Sequence, residues 1–240
     1  MSENLDISFY FKEKLSPGDI DIKLKQSIKA LGEVEIIKKI EKGEETFFIF
    51  KKIVGEHGTE FGWEYSELPP KCYEQSGYPK KGVQSWFSLG TGLWSYILWN
   101  QRDPESEIAS KKQFWEELVR DVKILYMALK PDFVVGDSDV YGSEHDLIRG
   151  GKQSPDNILA WLTFFPPEKV KQIGEAKFLE IPVLQSKDSE SEFGECYSEW
   201  EAGKRKFLPV WKREKLADGS YLLVLTEQYE AYPSKYESLR

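Results

Sequence analysis

Histidine and cysteine are scarce in this chain of 240 residues, which has only two of each. General acid–base catalysis uses histidine more often than any other side chain, so this scarcity argues against an enzyme without excluding one. The two cysteines, Cys72 and Cys196, do not form a C-x-x-C pair. The sequence therefore predicts neither a zinc site nor a disulfide framework, and a reducing compartment is expected.

The sequence also lacks an uninterrupted apolar run of the roughly 20 residues that a membrane-spanning helix needs. Its first residues, Met-Ser-Glu-Asn-Leu-Asp, are acidic and contain no apolar segment of the kind found in signal peptides. We therefore expect a cytoplasmic protein that makes no use of a membrane.

Positive charge is outnumbered: 33 Lys and Arg residues face 41 Asp and Glu residues, which gives a net charge of −8. Direct binding to nucleic acid is disfavoured, because contacts to phosphates need clustered cations. A cationic partner fits this charge better. Hydrophobic residues make up 40% of the chain, which is typical of a folded domain and too many for a disordered one.

The N-terminal part reads as a strand, a helix and two more strands. Ile7, Phe9 and Phe11 alternate with polar residues and predict a strand with one buried face. The tetrapeptide Ser16-Pro-Gly-Asp19 predicts the start of a helix, because it combines an N-cap hydroxyl with proline at the first helical position. Two strands, 34–40 and 46–53, should follow.

The remaining elements complete an α+β pattern. Ser110-Lys-Lys-Gln113 resembles a capping box that opens the longest helix, and Pro131 should end that helix. We also predict a long loop at 54–83, strands at 84–89, 93–99, 133–136, 159–165, 207–211 and 221–226, and a short helix at 167–174. The predicted fold is one domain, 1–240, with a mixed, largely antiparallel sheet and a long amphipathic helix and shorter helices packed on it.

A carboxylate-rich segment follows the predicted strand at 133. Hard divalent cations are held by such carboxylates, so a metal-dependent hydrolase is one possible function. The segment lacks the glycine and the terminal glutamate of a calcium loop, and turn-local hydrogen bonds of the aspartates are the favoured explanation. The residues that would form the hydrolase site are Asp137, Asp139, Glu144 and Asp146, beside His145.

Two other segments, 60–67 and 188–201, mix carboxylates with large aromatic side chains. Aromatic residues often anchor a protein interface, and carboxylates steer and pair with Lys or Arg of a partner. The same composition also occurs on a solvated face whose aromatic residues turn inward to the core. The residues themselves favour neither interpretation over the other.

A family resemblance rests on three stretches of the sequence. These are Phe133-Val-Val-Gly-Asp-Ser-Asp-Val-Tyr-Gly142, Ala160-Trp-Leu-Thr-Phe-Phe-Pro166 followed by a short helix ending Ile173-Gly174, and the closing Asp218-Gly-Ser-Tyr-Leu-Leu-Val224. Together they resemble the immunity protein 52 family, whose members are α+β proteins encoded beside polymorphic toxins. The resemblance implies a non-enzymatic protein that needs no cofactor and silences a cognate toxin, typically one with a restriction-endonuclease-like domain.

If this resemblance holds, the acidic-aromatic segments are the expected contact surface, and Trp161 belongs to the core. A nuclease is basic around its phosphate channel, so an acidic protein would be attracted to that region. The sequence leaves the oligomeric state open. The residues predicted to bind the toxin are Glu60, Trp63, Glu64, Asp188, Glu190, Glu192 and Glu195, with Asp137, Asp139 and Tyr141 at the rim.

Overall fold

The computed structural model describes residues 5–11, 16–31, 35–42, 45–54, 57–67, 85–91, 105–138, 159–185, 189–225 and 239. The chain divides into two compact units, one made of residues 1–132 and 137–153 and the other of residues 133–136 and 154–240. Each unit is described by itself below, with elements numbered along the described residues. The predicted single domain stays a prediction.

In the first unit, the described residues form five strands and two helices. The strands are β1 (Leu5–Phe11), β2 (Glu35–Lys42), β3 (Glu45–Val54), β4 (His57–Glu67) and β5 (Ser85–Thr91). The helices are α1 (Pro17–Leu31) and α2 (Glu105–Leu129). All neighbouring strands are antiparallel, in the order β2-β3-β4-β5-β1.

Strand β1 is more deeply buried than its alternating pattern predicts. Ile7 and Phe9 are fully buried, as expected, but so are the intervening Ser8 and Tyr10. The prediction of a single buried face was therefore wrong for this strand. Alternation of polar and apolar residues shows which face is more apolar, but another layer of the protein can still cover the polar face.

Helix α1 begins as predicted. Its capping box is closed in both directions: the Asp19 backbone N–H donates to Ser16 Oγ at 3.2 Å, and the Ser16 backbone N–H donates to Asp19 Oδ2 at 3.3 Å. Two backbone donors that the helix leaves without partners are thereby satisfied. A side chain of α1 also contacts the end of α2: Lys23 Nζ donates to the Leu129 carbonyl at 2.6 Å.

Helix α2 begins at Glu105, so the predicted start near Ser110 was wrong. Its end before Pro131 is confirmed, and Lys130 adopts φ 52, the left-handed conformation that often terminates a helix. The buried side of the helix is mainly apolar, as predicted, although Asp121 is also buried. It includes Trp115, Leu118, Val119, Val122, Leu125, Tyr126 and Leu129. That this helix packs on the sheet stays a prediction.

The predicted loop at 54–83 was wrong over residues 57–67, which form β4. This strand pairs with β3 on one side and β5 on the other. Gly58 and Gly62 weaken its local strand signal, because glycine has a low strand propensity. Pairing with two neighbours compensates for that weakness, and a single sequence does not reveal such non-local pairing. Residues 68–84 and the predicted strand at 93–99 lie outside the described residues.

In the second unit, the described residues form four strands and three helices. The strands are β6 (Phe133–Ser138), β7 (Leu162–Phe165), β8 (Lys212–Lys215) and β9 (Tyr221–Val224), in the order β6-β7-β9-β8 with antiparallel neighbours. The helices are α3 (Pro167–Ile173), α4 (Glu175–Leu179) and α5 (Ser189–Glu201). The fold is α+β.

The core of this unit lies around β7 and β9. All four residues of each strand are buried, and Trp161 is only 2% exposed, which confirms its predicted place in the core. The Leu225 backbone N–H donates to the Trp161 carbonyl at 2.8 Å and extends the pairing of the two strands. The tryptophan is thus held by its backbone as well as by burial.

The predicted strand at 207–211 was wrong. Residues Phe207 to Val210 are buried, but their ladder is limited to a single parallel bridge between Val210 and Val183, and β8 starts only at Lys212. Apolar content indicated burial here and not strand pairing. The predicted Asp218-Gly219 turn is confirmed, with Gly219 at φ 90 between β8 and β9.

Candidate protein-binding surface

Residues 189–201 of the second acidic-aromatic segment form the helix α5. Carboxylates early in a helix interact favourably with its positive N-terminal end, and α5 has Glu190 and Glu192 in its first turn. The helix stops at Gly203, whose φ of 71 suits glycine. The Lys204 backbone N–H then donates to the Glu199 carbonyl at 2.9 Å.

One line along α5 faces the rest of its unit. Cys196 is only 6% exposed, and burial raises the pKa of its thiol. Four residues earlier, Glu192 accepts the backbone N–H of Gln185 at both carboxylate oxygens, at 3.2 and 3.0 Å. Residues four apart lie on the same side of a helix, so the carboxylate and the thiol share the inner side of α5.

Glu199 continues this line and is also engaged internally. Its carboxylate accepts a hydrogen bond from Arg205 Nε in a salt bridge, and both side chains are partly exposed. This hydrogen bond lowers the pKa of Glu199 below its usual range. Glu192 therefore holds α5 to residue 185 of its unit, and Glu199 is occupied by Arg205 just past the end of the helix.

Glu195 and Glu201 are the exposed carboxylates among the described side chains of α5. Both side chains are exposed, and neither makes a hydrogen bond or an ion pair with the described part of the chain. Gly194 and Ser198 are exposed as well. An exposed carboxylate without an internal partner stays fully available to an external cation. We call Glu195 and Glu201 the outer carboxylates.

Two aromatic side chains accompany these carboxylates on α5. The rings of Tyr197 and Trp200 are 5.8 Å apart between centroids, and both residues are partly exposed. Large aromatic residues of this kind contribute strongly to protein interfaces. The exposed surface of α5 thus combines two carboxylates that have no partner among the described residues with two partly exposed aromatic rings.

The other predicted acidic-aromatic segment lies on β4. Position 63 is aligned with Leu89 of β5, which is aligned with the buried Ile7 of β1. Successive residues of a strand alternate between its two faces, so positions 60 and 64 belong to one face and position 63 to the other. The side chains of Glu60, Trp63 and Glu64 are outside the described set, and their contact with a partner stays a prediction.

The remaining predicted contact residues are described only in part. Asp137 is a position in β6 and Glu190 a position in α5, but their side chains are not described. Asp139, Tyr141 and Asp188 lie outside the described residues. Contact with a partner stays a prediction for all of these residues, including Glu192 and Glu195, whose side chains are described.

The hydrolase alternative also stays a prediction. Of its four carboxylates, Asp139, Glu144 and Asp146 lie outside the described residues, as does His145. Within the described ranges, no group of three or more His, Cys, Asp or Glu side chains is arranged to hold a metal ion.

The sequence alone did not reveal that the carboxylates of α5 have different partners. It assigned Glu192 and Glu195 to the same contact surface and left out Glu201. The helical period does not separate them, because Glu195 is three residues from Glu192 and four from Glu199. Their partners do: the Gln185 backbone occupies Glu192, and no described residue occupies Glu195.

No protein-family model matches this chain, and neither a curated protein nor a solved structure shows significant similarity to it. The described helices include none that is long and apolar enough to cross a membrane. The resemblance to the immunity protein 52 family thus rests on the three stretches quoted above.

Proposed function

We propose that this chain is an immunity protein that binds a cognate bacterial toxin, a nuclease with a basic surface, and neutralises it by stoichiometric binding without turnover. The observation that carries the proposal is the pair of exposed outer carboxylates, Glu195 and Glu201, on a helix whose other described carboxylates are bound internally. The family resemblance supplies the identity of the partner.

Charge supports this assignment at two length scales. The whole chain carries a net charge of −8, which attracts a cationic protein over a distance of several ångströms in dilute salt. At contact, the outer carboxylates can pair with Lys or Arg of the toxin without first breaking an internal salt bridge. Such complementarity raises the association rate and selects for a basic partner.

The aromatic pair Tyr197 and Trp200 gives the proposed surface a composition that is usual for protein interfaces. Interfaces combine charged residues at the rim with aromatic residues that fill pockets on the partner. Tyr197 and Trp200 lie on the same helix as the outer carboxylates and retain exposed area. Among the described side chains of α5, these two would supply apolar contact area to the complex.

The test measures binding of the purified chain to the product of the neighbouring toxin gene across a salt series. We expect association at low salt that weakens as salt rises. The double variant Glu195→Gln/Glu201→Gln should bind more weakly and with a flatter salt dependence, because two attractive charges are lost.

The matched control is Glu168→Gln, which removes one exposed carboxylate from α3 and leaves α5 intact. It should bind as the wild type does. Absence of association between the wild type and the toxin at low salt would overturn the proposed function. A titration of toxin nuclease activity should reach full inhibition at equimolar protein, as expected for a stoichiometric inhibitor.

A further inference from the structure

Glu192 differs from the outer carboxylates in that its carboxylate accepts a hydrogen bond from the same chain, although all three residues lie on one acidic helix. Both of its oxygens lie within hydrogen-bonding distance of the Gln185 backbone nitrogen, at 3.2 and 3.0 Å. A carboxylate that is occupied in this way offers less to a partner than an exposed one. Glu192 is therefore a poor candidate for direct contact.

The segment that is hydrogen-bonded to Glu192 is itself bonded to a buried residue of the core. Val183 forms a parallel bridge with Val210, which is fully buried. The Leu184 backbone N–H donates to the Val210 carbonyl at 3.0 Å, and the Val210 N–H donates to the Pro182 carbonyl at 2.9 Å. Residues 182–185 thus connect Glu192 to the core of the second unit.

A second contact lies one helical turn further along the same line of α5, where Cys196 is buried and only 6% exposed. A hydrogen bond and a buried side chain on one line restrict both the tilt of a helix and its rotation about its own axis. The rotation decides which side chains face solvent, because neighbouring positions differ by about 100° around a helix.

We propose that Glu192 is a positioning residue: its hydrogen bond with the Gln185 backbone fixes the rotation of α5 that presents Glu195 to the partner. This inference rests on the proposed function, since it names how the same surface is oriented. It also corrects the assignment of Glu192 from contact residue to internal anchor.

The test compares Glu192→Ala, Glu192→Gln and Glu195→Gln in binding to the product of the neighbouring toxin gene over a salt series. We expect Glu192→Ala to weaken binding about tenfold, the size expected for the loss of a charge-assisted hydrogen bond, and to keep the wild-type salt dependence. Glu192→Gln should restore most of the affinity, because its amide oxygen still accepts the Gln185 N–H. Glu195→Gln should flatten the salt dependence.

Two results would overturn the inference: wild-type affinity of Glu192→Ala, or a salt dependence of Glu192→Gln as flat as that of Glu195→Gln. Hydrogen exchange of the Gln185 amide in the free protein separates this inference from the proposed function. The amide should be protected in the wild type and in Glu192→Gln and exchange faster in Glu192→Ala. Failure of the wild type to bind, with this protection pattern intact, would reject the toxin partner and leave the anchor established.

Discussion

The phenol of Tyr221 donates a hydrogen bond of 2.8 Å to Oε1 of Glu175, and so joins strand β9 to helix α4. Lys215 Nζ of β8 donates to the same oxygen at 2.7 Å. At the C-terminal end of α4, the Arg213 guanidinium donates to the Phe178 and Leu179 carbonyls at 3.1 and 2.7 Å. Side chains of the β8–β9 hairpin therefore hold a helix of only five residues in place.

Acid stability should depend on Glu175. Hydrogen bonds from Lys215 and then from Tyr221 hold the pKa of this carboxyl below its ordinary value of 4.5. A carboxyl whose pKa falls on folding stabilises the folded state in its charged form, so its contribution is present above pH 4.5 and is lost as the pH falls through the lowered pKa. We expect Glu175→Gln to lose less stability than the wild type on acidification, measured by urea unfolding at a series of pH values.

The control for that experiment is again Glu168→Gln, which removes an exposed carboxylate from α3. It should lose stability with falling pH as the wild type does. If Glu175→Gln were equally sensitive to acid, Glu175 would not contribute to the stability that acid removes.

Core packing should depend strongly on Phe178 and little on its neighbour. Phe178 is fully buried, with its ring centroid 4.8 Å from that of Tyr221 and 5.1 Å from that of Phe165, whereas Leu179 is 60% exposed. Phe178→Ala should lower the free energy of unfolding by about 3–5 kcal/mol, and Leu179→Ala should change it by less than about 0.5 kcal/mol. Urea denaturation measures both values, and similar losses for the two variants would contradict the packing described.

Two glycines should respond in opposite directions to alanine. Nothing lies within 4 Å of a Cβ added at Gly219 or at Gly194, so space does not distinguish them. Gly219 has φ 90 in the β8–β9 turn, which costs an L-residue about 1–2 kcal/mol, so Gly219→Ala should be destabilising. Gly194 lies in α5, where alanine is a better helix former by up to about 1 kcal/mol, so Gly194→Ala should be stabilising.

Thermal unfolding of the two glycine variants beside the wild type decides this prediction. A loss of stability in Gly194→Ala would mean that the exposed side of α5 is covered in the isolated protein. Wild-type stability of Gly219→Ala would mean that the turn can adopt another backbone conformation at no cost.

The thiol of Cys196 should react slowly in the folded protein. Burial raises its pKa, and alkylating reagents attack the thiolate, which is then both less abundant and less accessible. In a Cys72→Ser background, we expect slow labelling by iodoacetamide in native buffer and fast labelling in urea. Equal rates in the two conditions would show that α5 separates readily from its unit.

The local elements with a strong chemical cause were predicted well. The Ser16–Asp19 capping box opens α1, Pro131 follows the end of α2, and Gly219 makes the last turn. Each of these effects operates within a few residues, so the sequence contains the whole cause. The failures have non-local causes: β4 is defined by strands on both sides of it, and Phe207 to Val210 are buried without forming a strand.

The candidate site shows the same limit. Composition predicted that 188–201 is acidic and aromatic, and Glu195 is indeed exposed, but some of the carboxylates in this segment are occupied by donors of the same chain. The Glu192 carboxylate accepts a hydrogen bond from the Gln185 backbone, and the Glu199 carboxylate forms a salt bridge with Arg205. The first partner precedes the helix and the second follows it, so no pattern within the helix alone identifies both.

The sequence by itself determined the α+β class, the net negative charge and the acidic-aromatic character of 188–201, because these follow from composition and from periodicities of two to four residues. Only the tertiary structure decided which carboxylates of that segment face solvent. The physical reason is that a carboxylate binds whichever donor the fold brings near it. For Glu192 that donor is a backbone amide anchored to the buried Val210, and for Glu195 the described residues offer none.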